Sequence, residues 1–222
     1  MVEVLRVTRY VDPRGTICIA EVGKEVPFQM RGIAVLYSDS MEAEAYEGRV
    51  QVLVVKGSAV ISTAAKQEEI FVDQCMTVQG PLTVKASAPE SIVLLLTDQE
   101  LDRASAVDLK KTSMYFGKNV ERAFYLKDVI EGQDRGGHAH QYCHQSLICL
   151  RGSLEVVLHD GSDTKTVLLE KGGSQLHIPP FVWAKEQNFS AGAICLVLAS
   201  HPYNRAGYMD TIEEMIQIRD EV

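Results

Sequence analysis

Arg135-Gly136-Gly137-His138-Ala139-His140, continued by Gln141-Tyr142-Cys143-His144-Gln145, is the stretch whose reading decides the fold. Side chains on a β-strand alternate faces, so histidines spaced by one residue point to the same side. If that side is the inside of a small barrel, both imidazoles enter one sheltered cavity. The next residues fit a strand and turn: Ser146-Leu147-Ile148-Cys149-Leu150 is apolar, and Arg151-Gly152-Ser153 breaks the run. Leu154-Glu155-Val156-Val157-Leu158 is then a second strand, closed by His159-Asp160-Gly161, and Asp-Gly is a strong hairpin signal. All six histidines and the only tryptophan lie between positions 138 and 201, so the chemistry is concentrated there.

Upstream, residues 1–98 consist of short apolar runs separated by turns. Thr16–Ala20, Ile33–Tyr37, Val50–Val55, Met76–Val78 and Ser91–Leu96 are the clearest strands, with turns at Pro13-Arg14-Gly15 and Lys56-Gly57-Ser58. Residues 99–118 are more polar and form the expected connection, with room for a helical turn. The strand pattern restarts at Arg122-Ala123-Phe124-Tyr125-Leu126 and continues through Leu176-His177-Ile178 and Ile194–Leu198. The tail, Asp210–Ile216, has the spacing of a short amphipathic helix.

The two halves repeat one another. Val52-Leu53-Val54-Val55-Lys56-Gly57-Ser58 parallels Ser146–Ser153, Met76-Thr77-Val78 parallels Leu176-His177-Ile178, and Ile92–Leu96 parallels Ile194–Leu198. The chain is therefore expected to be all-β, a duplicated barrel with a short C-terminal helix: 1–98 a first barrel, 99–118 the connection, 119–222 a second barrel carrying the site. In this alignment the histidine strand falls opposite Met41–Tyr46, which holds no histidine, so the first barrel has no comparable site.

A length of 222 residues accommodates one large or two small domains. A net charge of −8 excludes the broad basic surface of a nucleic-acid or anionic-membrane binder, though not a small anion held by a few arginines. The five cysteines, at 18, 75, 143, 149 and 195, are odd in number and lack a C-x-x-C spacing, and several sit in apolar runs, which points to buried free thiols in a reducing compartment. There is no apolar N-terminal segment of signal-peptide length, and no run approaches the ~18 apolar residues of a membrane span. A cytoplasmic protein is expected.

These motifs together resemble the cupin-fold nucleotide-sugar 3,4-ketoisomerases. The likeness is carried by Arg135–His140, Gln145–Ser153, Ile178-Pro179-Pro180-Phe181-Val182-Trp183 and Leu196–Ser200, and in the first half by Asp12–Thr16 and Val26-Pro27-Phe28. It implies the cupin (jelly-roll) fold, which the duplication makes two tandem barrels here, and isomerisation of a dTDP-4-keto-6-deoxyhexose to the 3-keto sugar in deoxysugar biosynthesis. A dTDP-linked keto-sugar is the expected partner, no cofactor or metal is expected, and a homodimer is among the implied arrangements. The chain also departs from the family, whose members usually carry one cupin and dimerise. Trp183-Ala184-Lys185 stands where Trp-His-Glu is common, His144 where a glutamate is common, and Gln141 follows the second histidine.

Moving a carbonyl from C4 to C3 requires a base for the C3 proton, an enediol and a proton returned to C4. Imidazole, with a pKa of ~6.5, suits the task. His140 is the expected base, with His138 shaping or completing the relay and Tyr125 bonding the sugar or shuttling a proton. Arg122 and Arg135 are candidates to stabilise the enediolate or clasp the diphosphate, and Trp183 is a candidate pocket wall. The resemblance implies that the N-terminal segment packs against a catalytic barrel, in the same chain or a partner chain, which makes Arg14 a candidate for the phosphate or sugar. Two alternatives stay open: a metal site on His138, His140 and His144, where three imidazoles would suit iron, zinc or copper, and a non-catalytic nucleotide-sugar binder.

Overall fold

Strands build most of the regular structure, some with alternating exposure, such as Leu82–Ala86, and others buried throughout, such as Ile92–Thr97 and Ile194–Ala199. The computed structural model describes residues 4–38, 43–102, 105–107, 112, 116–117 and 119–222. It divides into two compact units, Met1–Thr8 with Val22–Lys111, and Arg9–Glu21 with Thr112–Val222. Three strands come first, β1 (Val4–Arg6), β2 (Thr8–Asp12) and β3 (Gly15–Glu21).

The first unit continues with β4 (Gly32–Tyr37), β5 (Glu44–Tyr46), β6 (Arg49–Lys56), β7 (Ser58–Thr63), β8 (Gln67–Phe71), β9 (Gln74–Gln79), β10 (Leu82–Ala86) and β11 (Ile92–Thr97). One sheet has the order β1-β9-β6-β11-β4 and the other β5-β10-β7-β8. The chain crosses repeatedly from one sheet to the other, which is the jelly-roll route. Between the sheets lies an apolar cluster including Leu36, Val52, Val54, Ile61, Val84 and Leu95. Each such side chain, fully buried, contributes roughly 1.5–3 kcal/mol. Tyr46 is buried in the same cluster and donates its hydroxyl to Glu44 at 2.7 Å.

The second unit repeats this plan strand for strand: β12 (Arg122–Lys127), β13 (Arg135–His140), β14 (Gln145–Arg151), β15 (Ser153–His159), β16 (Thr164–Glu170), β17 (Leu176–Ile178), β18 (Trp183–Gln187), β19 (Ile194–Ala199) and the short β20 (Tyr208–Met209). Its sheets have the orders β17-β14-β19-β12-β3-β2 and β16-β15-β18-β13-β20. The expected repeats fall on equivalent strands: β6 with β14, β9 with β17, β11 with β19. Even the register agrees, since Gly32 faces Thr97 in the first unit as Arg122 faces Ala199 in the second. The Asp160-Gly161 hairpin joins β15 to β16, and the Asp160 side chain accepts the Ser162 and Asp163 amides.

The division differs from the expected 1–98 and 119–222 in one respect. β3 pairs antiparallel with β12 along its whole length, from Thr16 opposite Lys127 to Glu21 opposite Arg122, so Arg9–Glu21 belongs with the second unit. Ladder hydrogen bonds decide membership here, and chain order does not. Residues 103–104, 108–111, 113–115 and 118 of the expected connection, with any helical turn they form, lie outside the described residues. All five cysteines are free and buried. Thr211 caps the C-terminal helix, Ile212–Asp220, by accepting the Glu214 amide at 3.1 Å. No helix among the described residues is long and apolar enough to cross a membrane.

Candidate active site in the second barrel

The site is set by a glycine bulge in β13. Arg135 lies opposite Glu186 on β18 and His138 opposite Ala184, with an extra residue between them. Gly136 and Gly137 take φ of 68° and 78°, and a Cβ on Gly136 would come within 2.6 Å of Glu186 Oε2. Glycine is therefore required at Gly136 by conformation and by space. Cross-strand partners share a face, and Ala184 belongs to the interior cluster with Leu147, Val156 and Val197. The bulge thus aims Arg135, His138 and His140 into the barrel.

His138 and His140 meet edge to face, with centroids 4.9 Å apart. A third ring completes the cluster. Tyr208, directly opposite His140 in the β13–β20 pair, lies 4.3 Å from the His140 ring and 4.6 Å from the His138 ring. On β12, Phe124 and Leu126 pack into the interior, so alternation brings Arg122 to the same side. Its guanidinium stacks over Phe124 at 5.0 Å and Tyr203 at 5.6 Å, and its Nε has no hydrogen-bond partner among the described residues.

Burial and like charge keep the histidines neutral. The His140 pKa falls to about 3, first through burial and then through His138, Arg122 and His201. Its Nε2 is buried without a hydrogen-bond partner among the described residues. Burial also lowers the His138 pKa, opposed by a hydrogen bond with the Gly136 backbone, which holds that ring to the bulge. Burial raises the pKa of Tyr208, and Arg122 opposes the rise through its charge and a hydrogen bond.

Of the other expected site residues, Arg135 shares the inward face of the histidines, and Tyr125 and Trp183 do not. Tyr125 is buried on the face of β12 opposite Arg122, so it does not join the histidines; Tyr208 is the phenol beside them. Trp183 is likewise on the outer face of β18, next to Ala184. It packs with Phe181, Met209, Met215 and Ile212 against the C-terminal helix. Arg135 is only 3% exposed; its Nη1 donates to Asp12 Oδ2 at 3.1 Å, while Nε and Nη2 have no partner among the described residues. Arg14 is half exposed and donates to the same Asp12 oxygen at 2.8 Å. The two cations hold the Asp12 carboxyl at about 2, the Arg14 hydrogen bonds acting most strongly.

His144 does not join His138 and His140. Its Nδ1 is 3.0 Å from His177 Nε2, the two rings are nearly parallel, and Phe116 lies beside both. Among the described residues no three His, Cys, Asp or Glu side chains are grouped to hold a metal ion, so the expected alternative of a three-histidine ligand set is corrected. Two interior groups escaped the sequence reading. Tyr208 stands on a two-residue strand with no periodicity to reveal it. Glu186 is an isolated carboxylate whose inward aim follows from the bulge opposite; burial raises its pKa to about 7, against Arg135.

A jelly-roll barrel with a buried imidazole pair, a phenol and a guanidinium defines the class: an acid–base site on a cupin-type scaffold. The family model described as "FdtA: WxcM-like, C-terminal" matches residues 90–220, more than half of the chain, and the chain belongs to that family. It is 34% identical over 91 residues to a TDP-4-oxo-6-deoxy-alpha-D-glucose-3,4-oxoisomerase of Aneurinibacillus thermoaerophilus. That match covers 41% of this chain and 66% of the relative, just under two thirds of its length. Among solved structures, QdtA, a sugar 3,4-ketoisomerase from Thermoanaerobacterium thermosaccharolyticum in complex with TDP, is 32% identical with a TM-score of 0.45, over 47% of this chain and 76% of that one. A 3,4-ketoisomerase from Helicobacter canadensis is 20% identical with a TM-score of 0.41, over 99% of this chain and 97% of that one.

Proposed function

We propose that the second barrel isomerises a dTDP-linked 4-keto-6-deoxyhexose to the corresponding 3-keto sugar, as a step of deoxysugar biosynthesis. The observation that carries the reading is the buried, unpartnered Nε2 of neutral His140, beside His138 and Arg122. The curated relative, a 3,4-oxoisomerase by name, supports the choice of reaction.

The C4 carbonyl acidifies the C3 proton, and His140 removes it because its lone pair is free at neutral pH. Electrons move into a C3–C4 double bond and charge develops on O4. Arg122, whose charge acts on both histidines, serves as the preorganised stabiliser of that charge. His138, held by the Gly136 backbone, keeps the pair in register and accepts or relays the proton between oxygens. Arg135, engaged by Asp12, ties the N-terminal turn to the catalytic strand, a positioning part.

Incubation with TDP-4-keto-6-deoxyglucose, with the product assigned by NMR, tests the reading. Formation of a 3-keto sugar supports it. Tight binding with unchanged substrate would instead favour a non-catalytic sugar binder.

A further inference from the structure

Tyr208 is the one titratable group of the interior ring cluster that the proposed base chemistry leaves without a part. It does not resemble a spacer. It stands opposite His140 in the β13–β20 ladder, contacts both imidazoles, and shares Arg122 with them. Its ring also carries the Arg205 guanidinium at 5.4 Å and Tyr203 at 5.6 Å. A phenol used only for packing on β20 needs neither its hydroxyl nor a guanidinium directed at it.

Resting on the isomerase reading above, we propose that Tyr208 is the catalytic acid that delivers the proton to C4, opposite in role to His140. The step balances as follows. The C3–H bond breaks, its proton goes to His140 Nε2, and its electron pair forms the C3–C4 double bond of the enediolate. The C4 carbon then takes the phenol proton of Tyr208, leaving a tyrosinate beside Arg122. The proton on O3 passes to O4, closing the C3 carbonyl and leaving a hydroxyl on C4. Protonated His140 finally returns its proton to the tyrosinate across the 4.3 Å ring contact, directly or through His138. No oxidant, metal or other co-reactant enters.

Two features fit an acid in that place. Arg122 lies with both Tyr208 and His140, so one guanidinium steadies the enediolate and then the tyrosinate. The phenol remains protonated at neutral pH, since burial raises its pKa, so it holds a proton to donate at the pH where His140 is neutral.

The test is Tyr208→Phe, which keeps the ring and removes only the hydroxyl, assayed with TDP-4-keto-6-deoxyglucose in deuterium oxide. Two rates are read by NMR in one sample: exchange of deuterium into C3 of the recovered substrate, and formation of the 3-keto product. Loss of folded protein cancels in their ratio. The expected result is product formation lower by ~10² or more with C3 exchange within a few-fold, so the ratio of exchange to isomerisation rises about 100-fold. A ratio unchanged from wild type, whether both rates survive or both collapse, overturns the assignment. The isomerase reading fails separately, if the wild-type protein neither exchanges nor isomerises; His140→Asn should lose both rates.

Discussion

Tyr208 and His140 are direct cross-strand partners, with rings 4.3 Å apart and inclined at 69°. The relationship depends on two short features of the chain: the Gly136-Gly137 bulge, which sets which residues of β13 face inward, and the two-residue strand β20, which closes the end of that sheet. In the proposed roles, acid and base would be held by one ladder and positioned by backbone hydrogen bonds, the arrangement proton transfer requires.

The base assignment predicts that His140→Asn lowers kcat by ~10²–10⁴, the contribution of a positioned acid–base group. Affinity for dTDP should stay within about twofold, because His140 is neutral and carries no charge for the diphosphate. Stopped kinetics and calorimetric titration of the same sample check both. Turnover within a few-fold of wild type would remove His140 from the mechanism.

Stability should fall in acid through the same residue. Its folded pKa, about 3, is depressed below the ordinary 6.5, so the unfolded chain binds the proton more readily. The stabilisation is present above pH 6.5 and lost as pH drops toward 3, with a slope of about 1.4 kcal/mol per pH unit. Between pH 7 and pH 5 that amounts to roughly 2 kcal/mol. His138 and His177 shift in the same direction, so the comparison has to be made between wild type and His140→Asn. Urea midpoints at the two pH values should differ less in the variant; equal differences would mean that His140 is not buried in the folded protein.

Much of this was legible in advance because the signals are local. The duplication showed in a shared Gly-Ser turn and in Ile92–Leu96 against Ile194–Leu198, since both barrels need the same apolar strands in the same order. The His-x-His pair showed because a period of two fixes a shared face. What was missed depends on register across strands. Tyr125 and Phe124 are neighbours in sequence, and only the pairing of β12 decides which of them enters the barrel. Trp183 and Ala184 pose the same choice on β18, and there the small residue faces the histidines. The packing of the N-terminal segment on the catalytic barrel was expected from the resemblance alone, since no sequence period reports the ladder that joins β3 to the second unit.

Glu186 gives a pH effect of opposite sign. It is enclosed in the barrel interior, and burial raises its pKa from 4.5 to about 7, with Arg135 opposing. A raised carboxyl favours folding while both states are protonated, below pH 4.5. The benefit disappears as pH climbs to about 7, where the unfolded chain has already ionised. Glu186→Gln should therefore gain stability relative to wild type on going from pH 4.5 to pH 8, by on the order of 3 kcal/mol. Denaturant titrations at both pH values measure it. A constant difference between the two proteins would place the carboxylate in contact with water.

The last prediction concerns His144, the third imidazole of the abandoned ligand set. Its Nδ1 is occupied by His177 Nε2 at 3.0 Å, and a hydrogen bond between two imidazole nitrogens needs at least one neutral ring as acceptor. Burial and the charge of His144 lower the His177 pKa, which favours a neutral ring in the pair. The pair is therefore expected to have a structural role, packed beside Phe116. His144→Ala should cost about 1 kcal/mol, the net worth of one hydrogen bond, and leave kcat within a few-fold. Exhaustive chelation of the wild-type protein should leave turnover intact as well. A variant that melts like wild type but loses activity, restored by one added divalent ion, would return His144 to the site as a ligand.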